Sequence, residues 1–234
     1  MSVQRKITNL DDLKSKLIAQ KTIRGFVRFP MSTEEAALCI ETALQAEVER
    51  RFHVYKDNPV LQKNILEIAK LFTCPTPKFG IMLCGGVGNG KTSMMKALQN
   101  LLNYLEIPII DNTTFDTYGM RIESAKFICN QAKFDIKDFL NIQRTKMLGI
   151  DDLGEEEPVM IDYGNHVTPL IDLLSYRYDS MLFTMVTTNL KPKEIRSTYG
   201  DRIADRFNEM MLFVPYEDLS FRTPQESRAI TEKL

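Results

Sequence analysis

One short run, Gly85–Thr92, constrains the fold of this chain more than any other part of its sequence. It reads Gly-Gly-Val-Gly-Asn-Gly-Lys-Thr, which matches the spacing G-x-x-x-x-G-K-[ST]. It directly follows an apolar stretch, Gly80–Cys84, and directly precedes a helical pattern. Glycines let backbone amides wrap an anion, and the first turn of the following helix adds its dipole. The run therefore predicts a phosphate-binding loop between a strand and a helix.

Within this loop, two side chains have predicted chemical roles. Lys91 is expected to bridge the β- and γ-phosphates of a nucleotide, and the hydroxyl of Thr92 to ligate Mg²⁺. A dinucleotide-binding fingerprint is excluded because Ser93 stands where a third glycine is needed. The predicted nucleotide-binding residues of the loop are Gly85, Gly86, Val87, Gly88, Asn89, Gly90, Lys91, Thr92 and Ser93.

An acidic pair follows another apolar run, Met147–Ile150, which is typical of a buried strand. The carboxyl ends of parallel strands are where open α/β sheets bind ligands. Asp151 is therefore predicted to hold Mg²⁺, and Asp152 to orient the attacking water. The three glutamates after this pair, at 155–157, are predicted to lie in a solvated loop.

A third apolar run ends in Thr187-Thr188-Asn189, where the amide of Asn189 could hydrogen-bond the γ-phosphate or the lytic water. Further along, Arg202 and Arg206 are spaced to lie on one helix face. Either they form surface ion pairs with nearby aspartates, or one is an arginine finger that enters a neighbouring subunit's nucleotide site.

Short apolar runs alternate with helical patterns after Phe79, which predicts βαβ units around a parallel sheet. The predicted strands are Gly80–Cys84, Ile107–Ile110, Met147–Asp151, Leu182–Thr187 and Met211–Val214. The predicted helices between them are Lys91–Asn103, Ile122–Asn141 in one or two pieces, Val167–Tyr178, a short turn from Pro192, and Asp201–Met210.

Two further helices are predicted upstream of this region. Ser32 and Glu35 form a capping box, and apolar residues then recur at helical spacing as far as Phe52 and Tyr55. Asn58-Pro59 ends that helix and begins the next. Each has one apolar stripe, so both are expected to pack on the domain that follows. Residues 1–30 hold seven basic and two acidic side chains, which indicates either a solvated arm or a docking segment.

Composition narrows the class of protein. The formal charge of −1 excludes a global basic field, so nucleic-acid contact would need a local patch. No apolar run reaches the length of a membrane span, and the N-terminus lacks an apolar secretory region. The four cysteines are scattered, which argues against a metal or disulfide framework. We expect a cytoplasmic protein.

Taken in this order, the motifs resemble those of the AAA+ ATPases of the DnaC/DnaI helicase-loader family and of the related IstB transposition ATPases. The resemblance covers roughly residues 79–222 and rests on six segments: Gly85–Thr92 (Walker A), Ile150–Glu155 (Walker B), Leu173–Tyr178, Thr187–Leu190 (sensor 1), Gly200–Phe207 (arginine-finger box) and Ser220–Arg222.

The resemblance implies an α/β fold: a three-layer αβα P-loop (AAA+/ASCE) domain with a mostly parallel five-stranded sheet, without a full C-terminal lid. The implied divisions are a basic arm (1–30), a helical segment (31–77), the ATPase domain (78–222) and a tail (223–234). It also implies catalytic roles for Asp152, Asn189 and Arg206, with Arg202 as the competing finger, and nucleotide contact by Arg222. Arg177 and Arg222 could instead form ion pairs on the surface.

In function, the resemblance implies an ATPase that uses ATP and Mg²⁺, forms ATP-dependent homo-oligomers, and loads or remodels a DnaB-type replicative helicase on single-stranded DNA. Because Asp152 stands where many AAA+ proteins have glutamate, turnover is expected below about 1 s⁻¹. Two alternatives remain: an IstB-like transposition helper acting on duplex DNA, and a nucleotide-gated binding module that scarcely hydrolyses ATP.

A basic and aromatic stretch, residues 121–146, is the predicted contact for single-stranded DNA. The alternative is an amphipathic helix with aromatic side chains in the core and solvated lysines. Its cations and aromatics are Arg121, Lys126, Phe127, Lys133, Phe134, Lys137, Phe139, Arg144 and Lys146.

Overall fold

The computed structural model describes residues 10–20, 27–109, 116–156, 160–162 and 165–216. Five strands form one sheet in the order β2-β3-β6-β1-β7, and every neighbouring pair is parallel. They are β1 (Gly80–Cys84), β2 (Arg121–Ser124), β3 (Met147–Leu153), β6 (Phe183–Thr188) and β7 (Met211–Pro215). A separate antiparallel pair is formed by β4 (Met160–Asp162) and β5 (Asn165–Val167).

Helices cover both faces of this sheet. Residues alternate between faces along each strand, so Ile81 and Leu83 pack on one layer and Met82 on the other. The first layer contains α2 (Thr33–Glu49), α3 (Pro59–Thr73) and α4 (Lys91–Leu105); the second contains α5 (Ala125–Phe134), α6 (Ile136–Arg144), α7 (Pro169–Asp179), α8 (Pro192–Tyr199) and α9 (Asp201–Met210). The predicted three-layer α/β fold is confirmed.

The upstream helices belong to the core of this fold. α2 begins at the predicted capping box: Glu35 N donates to Ser32 Oγ and Ser32 N to Glu35 Oε2. Its buried face packs against both α3 and α4. Part of the basic arm, Leu10–Gln20, forms helix α1, whose first turns are largely exposed. The predicted domain boundaries stay predictions.

α2 ends earlier than its apolar pattern predicted. The helix stops at Glu49, so Phe52 is not part of the buried stripe and its side chain is 83% exposed. Phe52 also has a φ of 58°, a left-handed conformation that bulky residues rarely adopt. The segment between α2 and α3 therefore begins with a sharp turn.

The predicted strand at Ile107–Ile110 is wrong. Pro108 makes only a single antiparallel bridge with Thr117, through the bonds from Ile109 N to Asp116 O and from Tyr118 N to Ile107 O; Ile110 lies outside the described residues. The edge strand is Arg121–Ser124, which the sequence assigned to the start of a helix. The rest of that helix is two pieces, separated at Asp135, whose side chain caps α6.

Arg177 has a structural role that the sequence did not show. It is fully buried on α7, with no surface ion pair. Its guanidinium donates to the carbonyls of Gln143, Thr145 and Phe183 and to the hydroxyl of Thr184. Burial lowers the pKa of Arg177 to about 9, so it is still charged at neutral pH. It therefore joins the C-terminal end of α6 to the start of β6.

Candidate nucleotide-binding site

The glycine-rich loop connects β1 to α4 as its sequence predicted. Gly88 and Gly90 have φ angles of 87° and 84°, a region in which glycine avoids the steric cost that other residues meet. At Gly85 a Cβ atom would lie 2.2 Å from the carbonyl oxygen of Tyr216. The side chain of Asn89 donates to that same oxygen at 2.6 Å. The loop is thus fixed against the chain that leaves β7.

Lys91 is the first residue of α4, and its side chain is largely buried. Its Nζ donates to the carbonyl oxygens of Gly85 and Gly86 at 2.6 and 2.7 Å, and to Asn189 Oδ1 at 2.9 Å. Asn189 comes this close because β6 pairs with β1 in a register that aligns Thr188 with Cys84. The structure therefore brings together the predicted phosphate-binding lysine and the predicted sensor.

The predicted Mg²⁺ ligands are also brought together. Thr92 Oγ1 donates to Asp151 Oδ1 at 2.9 Å, and Thr187 Oγ1 donates to the same oxygen at 2.6 Å. These three residues come from α4, β3 and β6, so one carboxylate oxygen links three elements. These two bonds orient the Asp151 carboxylate.

Asp152 lies on the same strand with an unusual backbone. Its φ is 57°, and its N–H donates to Thr187 Oγ1 at 2.9 Å. Partial burial, and then the neighbouring charge of Asp151, raise the pKa of Asp152 above its usual value. The two carboxylates thus differ: Asp151 accepts two hydroxyl donors, while no side-chain donor to Asp152 is found in the described residues.

These groups border a cavity of about 650 Å³, within the range of nucleotide and cofactor sites. Its wall includes the predicted loop residues Val87–Ser93, together with Asp151, Asp152 and Asn189. Gly85 and Gly86 contribute through their carbonyls to Lys91. The other lining residues are Arg51, His53, Ser124, Ala125, Lys126 and Glu155.

Two of those residues, Arg51 and His53, were missed by the sequence analysis. They lie on the turn after α2 and reach the cavity only because α2 packs beside α4. No local signal marked them, because Phe52 and Tyr55 continue the apolar spacing of α2 through this segment.

The donor set suits magnesium. Mg²⁺ in nucleotide sites is held by one or two protein oxygens together with substrate phosphates and water. Thr92 and Asp151 supply such oxygens 2.9 Å apart. Among the described residues, no group of three or more His, Cys, Asp or Glu side chains could hold a metal alone, so a cation here would need the phosphates.

Neither arginine of α9 lines this cavity. The guanidinium of Arg206 pairs with Asp179 at 3.0 Å and lies 4.7 Å from the ring centre of Tyr178, and its side chain is only 11% exposed. Arg202 is exposed, and no contact of its side chain is seen in the described part of the chain. Arg222 lies outside the described residues.

The predicted DNA surface divides into buried and exposed parts. Arg121 forms ion pairs with Glu123 and Asp138, and Phe139 is buried. By contrast, Phe134 is 76% and Ile136 59% exposed, and Lys133 Nζ lies 5.3 Å from the centre of the Phe134 ring. Lys126 and Lys137 are also exposed. We call Lys133, Phe134, Ile136 and Lys137 the α5–α6 surface.

The acidic loop after β3 is only partly solvated. Glu156 is buried: it hydrogen-bonds the hydroxyl of Tyr199 and accepts from the N–H of Gly154 at 2.9 Å. The prediction of a wholly solvated loop is therefore wrong for Glu156, and Glu157 lies outside the described residues.

Within the described residues, no helix is both long and apolar enough to span a membrane.

Comparison with solved structures supports the fold assignment. No family model and no curated protein sequence matches the chain. A crystal structure of the DnaC helicase loader is similar, with a TM-score of 0.55 and 19% identity over 75% of this chain and 99% of that one. A structure of DnaI has a TM-score of 0.51 and 19% identity over 75% of this chain and 93% of that one. A candidate primosome component from Streptococcus pyogenes has a TM-score of 0.53 and 16% identity over 78% of this chain and 99% of that one. The predicted resemblance to DnaC-type AAA+ proteins is confirmed at the level of the fold.

Proposed function

We propose that this chain is an ATP-dependent replication protein of the helicase-loader type. In this proposal it binds ATP with Mg²⁺ in the cavity at the ends of β1, β3 and β6. It hydrolyses the nucleotide slowly and assembles with further copies of itself. The assembly loads or remodels a DnaB-type replicative helicase on single-stranded DNA.

The observation that carries the proposal is the hydrogen-bond network around Lys91 and Asp151. Lys91 contacts the loop carbonyls and Asn189, while Asp151 contacts Thr92 and Thr187. A lysine, a hydroxyl, a carboxylate and an amide thus meet beside backbone amides at a helix N-terminus. That combination suits the phosphates and cation of a nucleoside triphosphate.

Each polar side chain then has a role in hydrolysis. Lys91 would exchange its carbonyl partners for phosphate oxygens, and Asp151 with Thr92 would hold Mg²⁺, which neutralises charge on the phosphates. Asp152, the second carboxylate of the acidic pair, would orient the attacking water. Asn189, which accepts a hydrogen bond from Lys91, would detect the γ-phosphate.

An arginine from a second subunit completes the proposed site. Arg206 is the residue that the motif favours, although it is packed on Asp179 and Tyr178; Arg202 is the exposed alternative. The variants Arg206→Ala and Arg202→Ala identify the finger when they are compared. The variant that lacks the finger should lose ATP turnover in the assembly, while it binds nucleotide as the wild type does. Equal turnover in both variants and the wild type would contradict a finger from α9.

The α5–α6 surface supports contact with single-stranded DNA. It combines two exposed cations with an exposed ring, and bases stack on such rings while lysines bind the backbone. Lys126, on the same helix α5, also lines the nucleotide cavity. DNA contact on this surface could thus influence the nucleotide site.

A nucleotide-gated binding module is the second candidate, and Asp152 is the observation that favours it. The aspartate is one methylene shorter than the glutamate of many AAA+ proteins, and its raised pKa reflects an unfavourable place for its charge. Steady-state phosphate release separates the two. The loader proposal expects turnover below about 1 s⁻¹ that rises with single-stranded DNA; the module expects nucleotide-dependent assembly without release.

The partner is tested by capture on purified proteins. The chain, with a non-hydrolysable ATP analogue, should bind a replicative helicase hexamer, and the mass of the particle should show several copies of this chain. Binding to a transposase on duplex DNA in place of the helicase would favour the IstB-like alternative. The same mass measurement without nucleotide gives the control state.

A further inference from the structure

We propose that Glu156 and Tyr199 are positioning residues that hold Asp152 where it can orient the attacking water. The proposal rests on the proposed function, since it assigns the groups that keep the water-orienting carboxylate in place. Neither Glu156 nor Tyr199 lines the nucleotide cavity. Both are buried, Glu156 on the turn after β3 and Tyr199 at the last residue of α8.

Glu156 is a buried carboxylate outside the nucleotide cavity. The residue is only 6% exposed, and no lysine or arginine pairs with it in the described part of the chain. Its Oε1 accepts from the hydroxyl of Tyr199, and its Oε2 accepts from the N–H of Gly154 at 2.9 Å. Burying a carboxylate without a cation costs free energy. Such a residue indicates a requirement other than stability, which is typical of functional regions.

The turn that Glu156 holds begins at Asp152. The N–H of Glu155 donates to the carbonyl of Asp152 at 3.2 Å and closes this turn, while Glu156 binds the N–H of Gly154 within it. Asp152 has a φ of 57°, a left-handed conformation that residues other than glycine seldom adopt. A backbone of this kind persists only where its surroundings fix it. Glu156 supplies such a constraint two residues after Asp152.

The end of β6 fixes the other side of the same turn. A Cβ atom on Gly154 would lie 2.6 Å from Leu190 Cδ1, so the turn packs closely on the residue that follows the predicted sensor Asn189. The hydroxyl of Thr188 donates to the carbonyl of Leu153 at 2.7 Å and accepts from the N–H of Leu190 at 3.1 Å. The turn is therefore held between the end of β6 and the buried carboxylate.

Tyr199 anchors that carboxylate to the helices that carry the candidate finger arginines. Burial, and then the hydrogen bond to Glu156, raise the pKa of Tyr199, so its hydroxyl stays protonated and donates at neutral pH. Only Gly200 separates Tyr199 from α9, which contains Arg202 and Arg206. The position of the turn after β3 thus depends on the junction between α8 and α9.

Two conservative variants remove the link, and a third variant serves as the control. Glu156→Gln keeps the shape but replaces one acceptor oxygen by an amide NH₂, so one of its two donors loses its partner. Tyr199→Phe removes only the hydroxyl. Arg177→Met also removes a buried polar side chain from the same helical layer, but it leaves the turn untouched.

The experiment combines steady-state ATP hydrolysis with titration calorimetry of a non-hydrolysable ATP analogue and Mg²⁺, both below the melting temperature of every variant. Glu156→Gln and Tyr199→Phe should each lower kcat by about tenfold or more, because small displacements of a catalytic group are costly. Each should bind the analogue within about twofold of the wild type. The double variant should lose no more than the larger single loss, since both changes break one hydrogen bond. Arg177→Met should melt earlier but keep its kcat.

Four results would overturn the inference. A wild-type kcat in both folded variants would show that the pair only stabilises the fold. Equal losses of kcat and of analogue affinity would show damage to the whole cavity, and losses that multiply in the double variant would show that the two residues act separately. In these three cases the wild type still hydrolyses ATP, so the proposed function stands. A wild type that binds the analogue without hydrolysing ATP would end the inference together with the proposed hydrolysis.

Discussion

The sheet edge at the ends of β1, β3 and β6 and the α5–α6 surface are both rich in polar groups, but they are organised in opposite ways. At the sheet edge, Lys91, Thr92 and Asp151 each have hydrogen-bond partners inside the protein at 2.6 to 2.9 Å. On the α5–α6 surface, Lys137 makes no hydrogen bond or ion pair in the described part of the chain, and Phe134 is 76% exposed.

The difference has a physical reason. A site that binds a small charged ligand must hold its groups within a fraction of an ångström, so other residues fix them beforehand. A surface that binds a flexible strand gains most of its affinity from charge and stacking, which tolerate movement. Substitutions at the edge should therefore act on chemistry, and those on the surface on affinity and its dependence on salt.

The largest effect is expected at Asp151. Asp151→Asn keeps the shape but removes the charge that would hold Mg²⁺, so steady-state hydrolysis should fall by about 10²-fold or more. Asp172→Asn, an exposed aspartate on α7, should leave hydrolysis unchanged. If Asp151→Asn hydrolysed ATP at the wild-type rate, the edge would not be the catalytic region.

Arg177, which contacts the start of β6 at the opposite end of the strand from Asn189, should control stability rather than chemistry. Arg177→Met leaves the carbonyls of Gln143, Thr145 and Phe183 without their donors. The free energy of unfolding should fall by about 3 kcal/mol, measured by chemical denaturation. Arg196→Ala, which removes an exposed side chain paired with Asp201 and Asp205, should cost only a small fraction of that. Equal losses would show that the buried guanidinium is not a structural link.

Charge reversal on the α5–α6 surface should change DNA binding alone. Lys133→Glu combined with Lys137→Glu should weaken binding of single-stranded DNA by about tenfold and reduce the slope of log affinity against log salt by about 1 to 2. Fluorescence anisotropy over a salt series measures both. Lys70→Glu, on α3, is the control. Unchanged DNA affinity in the double variant would remove this surface from the account.

The smallest effect on stability is expected at Asp152, where the proposed catalytic role and the stability of the fold favour different residues. Because its folded pKa is raised, the charged form is disfavoured in the native state, so this stability is present below the unfolded pKa and is lost as pH rises from there through the folded pKa. Asp152→Asn removes that charge, and asparagine tolerates a φ of 57°. It should unfold at a slightly higher temperature at pH 7, by no more than about 0.5 kcal/mol after solvent screening, yet hydrolyse ATP more slowly.

Most of the sheet edge was predictable from the sequence because its parts are local. The glycine-rich loop, the acidic pair and Asn189 each follow an apolar run, and parallel strands bring such ends to one edge. β2 was not predictable in this way. It pairs with β3 alone, its side chains are only partly buried, and its sequence Arg-Ile-Glu-Ser has no apolar run to mark a strand.

The remaining features depend on packing between distant segments. Arg51 and His53 enter the cavity because α2 lies beside α4, and nothing in their own neighbourhood indicates a ligand. Arg177 is identified as structural only by four acceptors from two separate segments, the end of α6 and the start of β6. Spacing on a helix predicts which side chains share a face, but not what that face will contact.

Titration calorimetry of a non-hydrolysable ATP analogue with Mg²⁺ against Lys91→Ala tests the central claim most directly, with Lys96→Ala on the same helix as the control. The account predicts that the wild type and Lys96→Ala bind the analogue alike and that Lys91→Ala loses measurable binding. Binding of equal strength in all three proteins would contradict it.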